Sequence, residues 1–184
     1  MKITSGRYKY RNIEVPKGIR PTTEKVREAV FSMINAWIPD AEVLDLFAGS
    51  GAMGLEALSR GAARCTFVES NRQNQKVLLA NIDNCGAGEV SRLIARDFTA
   101  ALAELAGGGK RSRFDVVIID PPYEKTDYYD TALQLLQDYE LIDDATIVVC
   151  EHLYDNKLLD TYGNLQKIKE KKYGTIGVDV FNIL

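Results

Sequence analysis

The chain is short of the residues that build metal clusters and disulfide frameworks, with one histidine and three cysteines in 184 residues. Cys65, Cys85 and Cys150 are odd in number, widely spaced and without a C-x-x-C pair, so neither a disulfide scaffold nor a zinc cluster is supported. A reduced, cytoplasmic setting follows, with Cys65 and Cys150 as core filler inside apparent strands. No apolar run approaches the length of a membrane span, and the opening MKITSGRYKYR lacks the apolar centre of a signal peptide. Internal repeats and low-complexity segments are also missing. What is present is ordinary globular composition, 46% apolar and 27% charged, and enough chain for one domain with a full core. We expect one unit over residues 1–184, made of a basic extension and helix over 1–39 and a core over 40–184.

Charge is unevenly spread. Residues 1–27 hold eight Lys or Arg against Glu14 and Glu24, a balance of +6 in a chain of net charge −3, so the remainder carries −9. A basic arm on an acidic body suits a polyanionic partner met at one edge. Arg7, Lys9, Arg11 and Arg20 are its candidate contacts, and Tyr8 and Tyr10 among them can stack on bases.

The stretch VLDLFAGSGAMG, Val43 to Gly54, organises the rest. Its apolar start reads as a buried strand, its glycines as a tight turn and its continuation as a helix, together a ligand cradle at the carboxyl edge of a parallel sheet. Gly49 and Gly51 allow close backbone approach, and the helix start offers unpaired N–H groups. Before it, Lys2 to Pro16 reads as a short strand pair turning at Gly6. Thr22 reads as the N-cap of a helix that ends at Pro39, with the loop Arg20-Pro21-Thr22 able to fold over a ligand. After it, strands at Arg64–Glu69, Val90–Ala95, Phe114–Asp120 and Thr146–Glu151 alternate with helices, one of them capped by Ser70 with Gln73. The basic run Gly107 to Arg113 reads as a flexible, solvated connection. Two strands joined at Gly174 close the chain. The pattern is an open α/β sheet with right-handed crossovers.

Acidic residues fall where a nucleoside ligand needs them. Glu69 lies 20 residues beyond Gly49, where a carboxylate grips ribose hydroxyls. Asp97 can accept from an adenine amino group, with Phe98 beside the ring, although a plain helix cap accounts for Asp97 equally well. Asp45 can reach the ligand or brace the loop. Gly49 to Gly54 also satisfies G-x-G-x-x-G, which keeps an NAD-dependent dehydrogenase open. Against it stands the end of the fourth strand, Asp120-Pro121-Pro122-Tyr123. Two prolines fix the turn and donate no N–H, so the Asp120 carboxylate and the Pro121 carbonyl offer two acceptors to one amino group. Tyr123 can stack on the base that carries it. His152, the only histidine, reads as a solvated or capping residue rather than a base.

At DPPY the chain resembles the class I S-adenosylmethionine-dependent methyltransferases that act on amino groups. The basic opening, RPTTEKVREAVFSMI, DLFAGSGAMGLEALSRGA and DPPY, in that order over nearly the whole chain, resemble the RsmD family of 16S ribosomal RNA (guanine-N2)-methyltransferases. Tyr10 in GRYKYR departs from the smaller residue usual in relatives. The resemblance implies a Rossmann-like, seven-stranded, mostly parallel sheet whose last strand runs antiparallel, with a small N-terminal β-hairpin and helix extension. It implies S-adenosyl-L-methionine as cofactor, with Asp45, Phe47, Gly49 and Gly51 at its methionine end, Glu69 at the ribose, and Asp97 and Phe98 at the adenine. Asp120, Pro121, Pro122 and Tyr123 would hold a flipped guanine of 16S rRNA, in naked RNA or a small-subunit assembly intermediate, with Arg7, Lys9, Arg11 and Arg20 on the RNA. No metal is required, and a monomer suffices. Adenine-N6 methylation of DNA or RNA shares DPPY and stays open.

Overall fold

A computed structural model describes residues 1–108 and 113–184. Of the connection expected at Gly107 to Arg113, residues 109–112 lie outside the described residues. Among the described residues, eight strands form one sheet: β1 Glu42–Asp45, β2 Arg64–Val68, β3 Ser91–Ile94, β4 Val116–Ile119, β5 Ile147–Leu153, β6 Thr161–Tyr162, β7 Leu165–Tyr173 and β8 Ile176–Ile183. Their order is β3-β2-β1-β4-β5-β8-β7-β6, with β1 to β5 parallel and β8 antiparallel to β5. The eighth strand, one more than expected, is the two-residue β6 paired antiparallel to β7.

The helices are α1 Glu24–Met33, α2 Ala52–Ser59, α3 Arg72–Asn84, α4 Phe98–Ala106 and α5 Asp127–Asp138. Alternation along the central strands divides the core between the two faces. Val43, Val116, Ile118, Ile147 and Val149 pack toward α1, α2 and α3, whereas Leu44, Val117, Ile119, Val148 and Cys150 pack toward α4 and α5. Strands covered on both faces read as continuous apolar runs, which is why VVII and IVVC show no polar alternation. α2 is buried all round, even at Glu56, because residues 1–38 pack over it as a second cover.

Four local expectations differ from the structure. The N-terminal strand pair shrinks to the single bridge Lys2–Asn12, because its residues bond outward to α2: the Thr4 N–H donates to Glu56 at 3.0 Å and the Tyr8 N–H to Ser59 Oγ at 2.9 Å. Tyr8 is therefore core, and only Tyr10 remains exposed, at φ 73°. The cap of α1 is Thr23, whose Oγ1 accepts from the Val26 N–H, and Thr22 is released for another task. Asn71 caps α3 by accepting from the Gln73 and Asn74 N–H groups, because Ser70 sits one residue too early. α1 itself stops at Met33, before a short 3-10 turn, Asn35–Trp37, that precedes Pro39.

Candidate functional site

A cleft of about 470 Å³ opens at the carboxyl edge of β1, β2, β3 and β4. Such a volume lies in the range of small-molecule and cofactor sites. The glycine turn after β1 forms its floor. Gly49 and Gly51 have φ of 54° and 83°, and a Cβ on Gly51 would come within 2.2 Å of Leu78 Cδ1. That clash and the left-handed backbone explain why the sequence places glycine there. Gly51 itself lies behind the cleft wall, as the N-cap of α2, while Asp45, Phe47, Gly49, Glu69, Asp97, Phe98 and Asp120 to Tyr123 all line it.

Glu69 directly follows β2 and locks the glycine turn: its Oε1 accepts from the Gly49 N–H at 2.8 Å, and its Oε2 from the Asn71 N–H at 2.9 Å. Asp97 does cap α4, its Oδ1 accepting from Thr99 and Ala100, and its pKa is lowered chiefly by the Thr99 hydroxyl. It still lines the cleft, exposed, so capping and ligand contact are compatible. Phe98 is packed with Phe47 at 5.0 Å and with Tyr128 at 4.7 Å, a three-ring wall whose third member the sequence reading missed.

Strand pleat explains the most unusual feature. Successive residues alternate faces, so Asp45 after Val43, Asp120 after Ile118 and Glu151 after Val149 emerge on the same face, at the ends of three neighbouring strands. Asp45 is 2% exposed, accepts from the Gly54 N–H at 3.0 Å, and is pushed up to about 7, mainly by burial. Asp120, half-buried at the cleft wall, is raised well above the carboxylate range by loss of water, with Glu151 and Asp45 adding to it and Thr22 opposing. Glu151, 4% exposed, is raised by burial. Thr22 Oγ1 stands between the last two, 3.2 Å from Asp120 Oδ2 and 2.7 Å from Glu151 Oε2. No ion pair among the described residues involves Asp45, Asp120 or Glu151. Uncompensated acidic groups around a cleft suit a cationic ligand.

Glu151 and Thr22 were not singled out from the sequence. The available signal was positional, since a carboxylate ending the strand after DPPY emerges on the same face as Asp120 if those strands pair. The loop Gly18 to Thr22 lines the cleft, as its sequence suggested, and carries Arg20 to 5.6 Å from the Tyr123 ring centre. Arg7, Lys9 and Arg11 lie outside the cleft, all exposed, and Arg11 donates to the Asn84 carbonyl at 3.0 Å. His152 is neither solvated nor a cap: it is fully buried, with Nδ1 2.8 Å from the Leu153 carbonyl oxygen and Nε2 3.0 Å from Asp179 Oδ2.

The family model described as "Conserved hypothetical protein 95" matches residues 1–182, and the Escherichia coli K12 "Ribosomal RNA small subunit methyltransferase D" is 33% identical over 183 residues, covering 98% of this chain and 89% of that one. The chain belongs to the RsmD family. The Haemophilus influenzae protein of the same name is 30% identical, with 98% and 93% of the two chains covered. The solved structure titled "Putative methyltransferase yhhF from Escherichia coli" superposes with TM-score 0.85 at 32% identity, over 100% of this chain and 97% of that one. An RNA methyltransferase from Salinibacter ruber, solved with S-adenosyl-L-homocysteine, shares the fold at TM-score 0.67 and 16% identity. Membership of the RsmD family fits the carboxyl-edge cleft, where open α/β sheets bind their ligands. The dehydrogenase alternative is thereby set aside. No helix among the described residues is long and apolar enough to cross a membrane.

Proposed function

We propose that the protein methylates the exocyclic N2 amino group of a guanine in small-subunit ribosomal RNA, with S-adenosyl-L-methionine as methyl donor. The observation that carries this is the opening of Asp120-Pro121-Pro122-Tyr123 into the same cleft as the glycine turn, in a chain of the RsmD family. The residues present fit the cofactor. Asp45 offers a carboxylate with no cationic partner for the methionine ammonium, Glu69 a carboxylate beside the glycine turn for the ribose, and Phe98 a ring for the adenine. When bound, the cofactor supplies an activated methyl group, so the chain needs no metal and works by positioning. Asp120 accepts a hydrogen bond from the amino group and stabilises the positive charge that grows there. Tyr123 stacks on the base, and burial together with Glu151 and Asp120 raises its phenol pKa, so it stays neutral. Exposed Arg7, Lys9, Arg11 and Arg20 provide the phosphate contacts, which makes affinity fall with salt.

The test is tritiated methyl transfer from S-adenosylmethionine to ribosomal RNA and to small subunits from cells lacking the gene. Label recovered as N2-methylguanosine with the wild type, and lost with Asp120→Ala, is the expected result. N6-methyladenosine would replace the base and keep the cofactor, while no label on any RNA would overturn the RNA substrate.

A further inference from the structure

One hydroxyl proton lies between two carboxyl groups, and it cannot be given fully to both. Thr22 Oγ1 is within hydrogen-bond distance of Asp120 Oδ2 and of Glu151 Oε2 at 3.2 and 2.7 Å. A hydroxyl is one donor and two acceptor sites, whereas an ionised carboxylate only accepts. Two ionised carboxylates on one hydroxyl would leave one contact as oxygen facing oxygen without a proton. The arrangement closes when one of the acids is protonated and donates to Thr22 Oγ1, while Thr22 donates to the other.

We infer that Thr22 passes a proton between Asp120 and Glu151, so that Glu151 holds it while Asp120 accepts from the amino group to be methylated. This inference rests on the reading of Asp120 as that acceptor. Thr22 and Glu151 are positioning residues, since they act on the substrate only through Asp120. An amino donor arriving at Asp120 favours the carboxylate there. The Asp120 proton then moves to Thr22 Oγ1 as the Thr22 proton moves to Glu151 Oε2, with no net change in charge. During transfer the nitrogen–methyl bond forms, the sulfur–methyl bond breaks and its electron pair stays on sulfur. The nitrogen, now cationic, releases an N–H proton to Asp120, and the pair sheds one proton to solvent as product leaves.

The surrounding groups are compatible with a shared proton. Asp45 adds negative charge near Asp120, and Arg20 and His152 add positive charge near Glu151. The Tyr123 phenol, its pKa raised chiefly by burial, also hydrogen-bonds the Glu151 side chain and favours its ionised form, and the Tyr129 hydroxyl donates to the Glu151 backbone carbonyl at 2.6 Å, which fixes the strand end. Thr22 also couples the acids to the cleft loop, because Gly18 to Thr22 forms its wall.

Two measurements on the full chain decide it. In carbon-13 NMR with labelled Asp and Glu carboxyls, Asp120 and Glu151 should titrate together in two steps, each resonance sensing both. Thr22→Ser should keep that pattern and Thr22→Val should change how the shared proton divides between the two carboxyls, while their mutual repulsion persists. In single-turnover methyl transfer, Thr22→Val and Glu151→Gln should fall about 10- to 100-fold with cofactor affinity within about twofold of wild type. Thr22→Ser should recover most of the rate. Glu151→Gln should also move the acidic limb of the rate profile to lower pH, since a negative neighbour of Asp120 is removed. Independent titrations in the wild type, or a Thr22→Val variant that titrates and turns over as wild type, overturn the inference. So does a rate loss accompanied by an unchanged pH profile and unfolding of the loop, which is a structural role. If the wild type methylates no ribosomal RNA, the proposed function fails, and the NMR titration still decides the proton sharing because it needs no RNA.

Discussion

The structure buries two acidic clusters on the same side of the sheet and treats them in opposite ways. Glu56, inside α2, is fully buried between two guanidinium groups: Arg27 Nε donates to Oε1 and Arg60 Nε to Oε2, both at 2.9 Å. The Thr4 N–H completes its shell at 3.0 Å. Asp45 is held by the Gly54 N–H, and Asp120 and Glu151 by the Thr22 hydroxyl, with no Lys or Arg bonded to them among the described residues. The first cluster is complete as folded, and it ties the N-terminal extension to α2. The second is complete only when something cationic or proton-bearing enters the cleft. Charge compensation thus separates a carboxylate kept for architecture from carboxylates kept for a ligand.

Removing Glu56 is the most disruptive way to test the contrast. Glu56→Ala leaves Arg27 buried and unpaired, and loss of one partner of a buried pair costs about 3–5 kcal/mol. Urea unfolding should show that loss, with residues 1–38 released first. The complementary substitution, Asp120→Asn, should leave stability at pH 7 unchanged or higher, since a neutral amide replaces an acid whose ionised form burial and its acidic neighbours disfavour. Methyl transfer should nevertheless drop by about two to three orders of magnitude. A large stability loss from Asp120→Asn would erase the distinction between the two clusters.

Most of the architecture was legible because it rests on local signals. Apolar runs such as VVIID, the glycine turn and the alternation of strand and helix each occupy a few consecutive residues and agree with one another. The glycine turn, Glu69 and DPPY converge on one cleft as their spacing implied. What escaped depends on contacts between distant positions. Thr22 and Glu151 are 129 residues apart, and nothing in the neighbourhood of either announces the other. Tyr8 looks like an aromatic among basic residues until Ser59 is found bonding its backbone. Thr22 was read as a cap because Thr23, equally able to cap, follows it. His152 reads as a solvated or capping residue because its partner, Asp179, lies on a strand 27 positions later that returns antiparallel.

Acidity sharpens the contrast further. Asp45 has its pKa raised to about 7 by burial, so the folded protein binds a proton there that the unfolded chain, near 3.8, has already released. Across that interval the folded state holds more protons, and stability therefore falls as pH rises from about 4 to about 7, then levels. Asp45→Asn keeps an acceptor for the Gly54 N–H and should flatten this slope, by an amount of order 1–3 kcal/mol at neutral pH after solvent relaxation. Thermal melting at pH 5 and pH 8 in parallel reads it out. An unchanged slope would mean that Asp45 is compensated after all.

The smallest effect belongs to a third buried cluster, which repeats the compensated pattern with a titratable cation. Asp179 on β8 lies 3.0 Å from His152 Nε2 and 3.3 Å from Lys167 Nζ. These are charge contacts rather than aligned hydrogen bonds, since neither Asp179 oxygen has a partner in good hydrogen-bond geometry. With Nδ1 facing the Leu153 carbonyl, both ring nitrogens face oxygen, and the charge contact to Asp179 favours the imidazolium. Burial opposes that charge, but Asp179 and the Leu153 carbonyl outweigh it, and the His152 pKa is raised above 6.5. A cation favoured by folding contributes stability that is complete below the unfolded pKa and is lost as pH rises through the folded one. The decline should be shallow, because Lys167 still compensates Asp179 when the imidazole is neutral. His152→Gln, neutral at every pH, should remove the decline on the alkaline side of 6.5 and leave methyl transfer intact, because the ring faces α5 rather than the cleft. A His152→Gln variant that folds normally but no longer methylates would place this cluster with the catalytic acids and break the rule that compensation marks architecture.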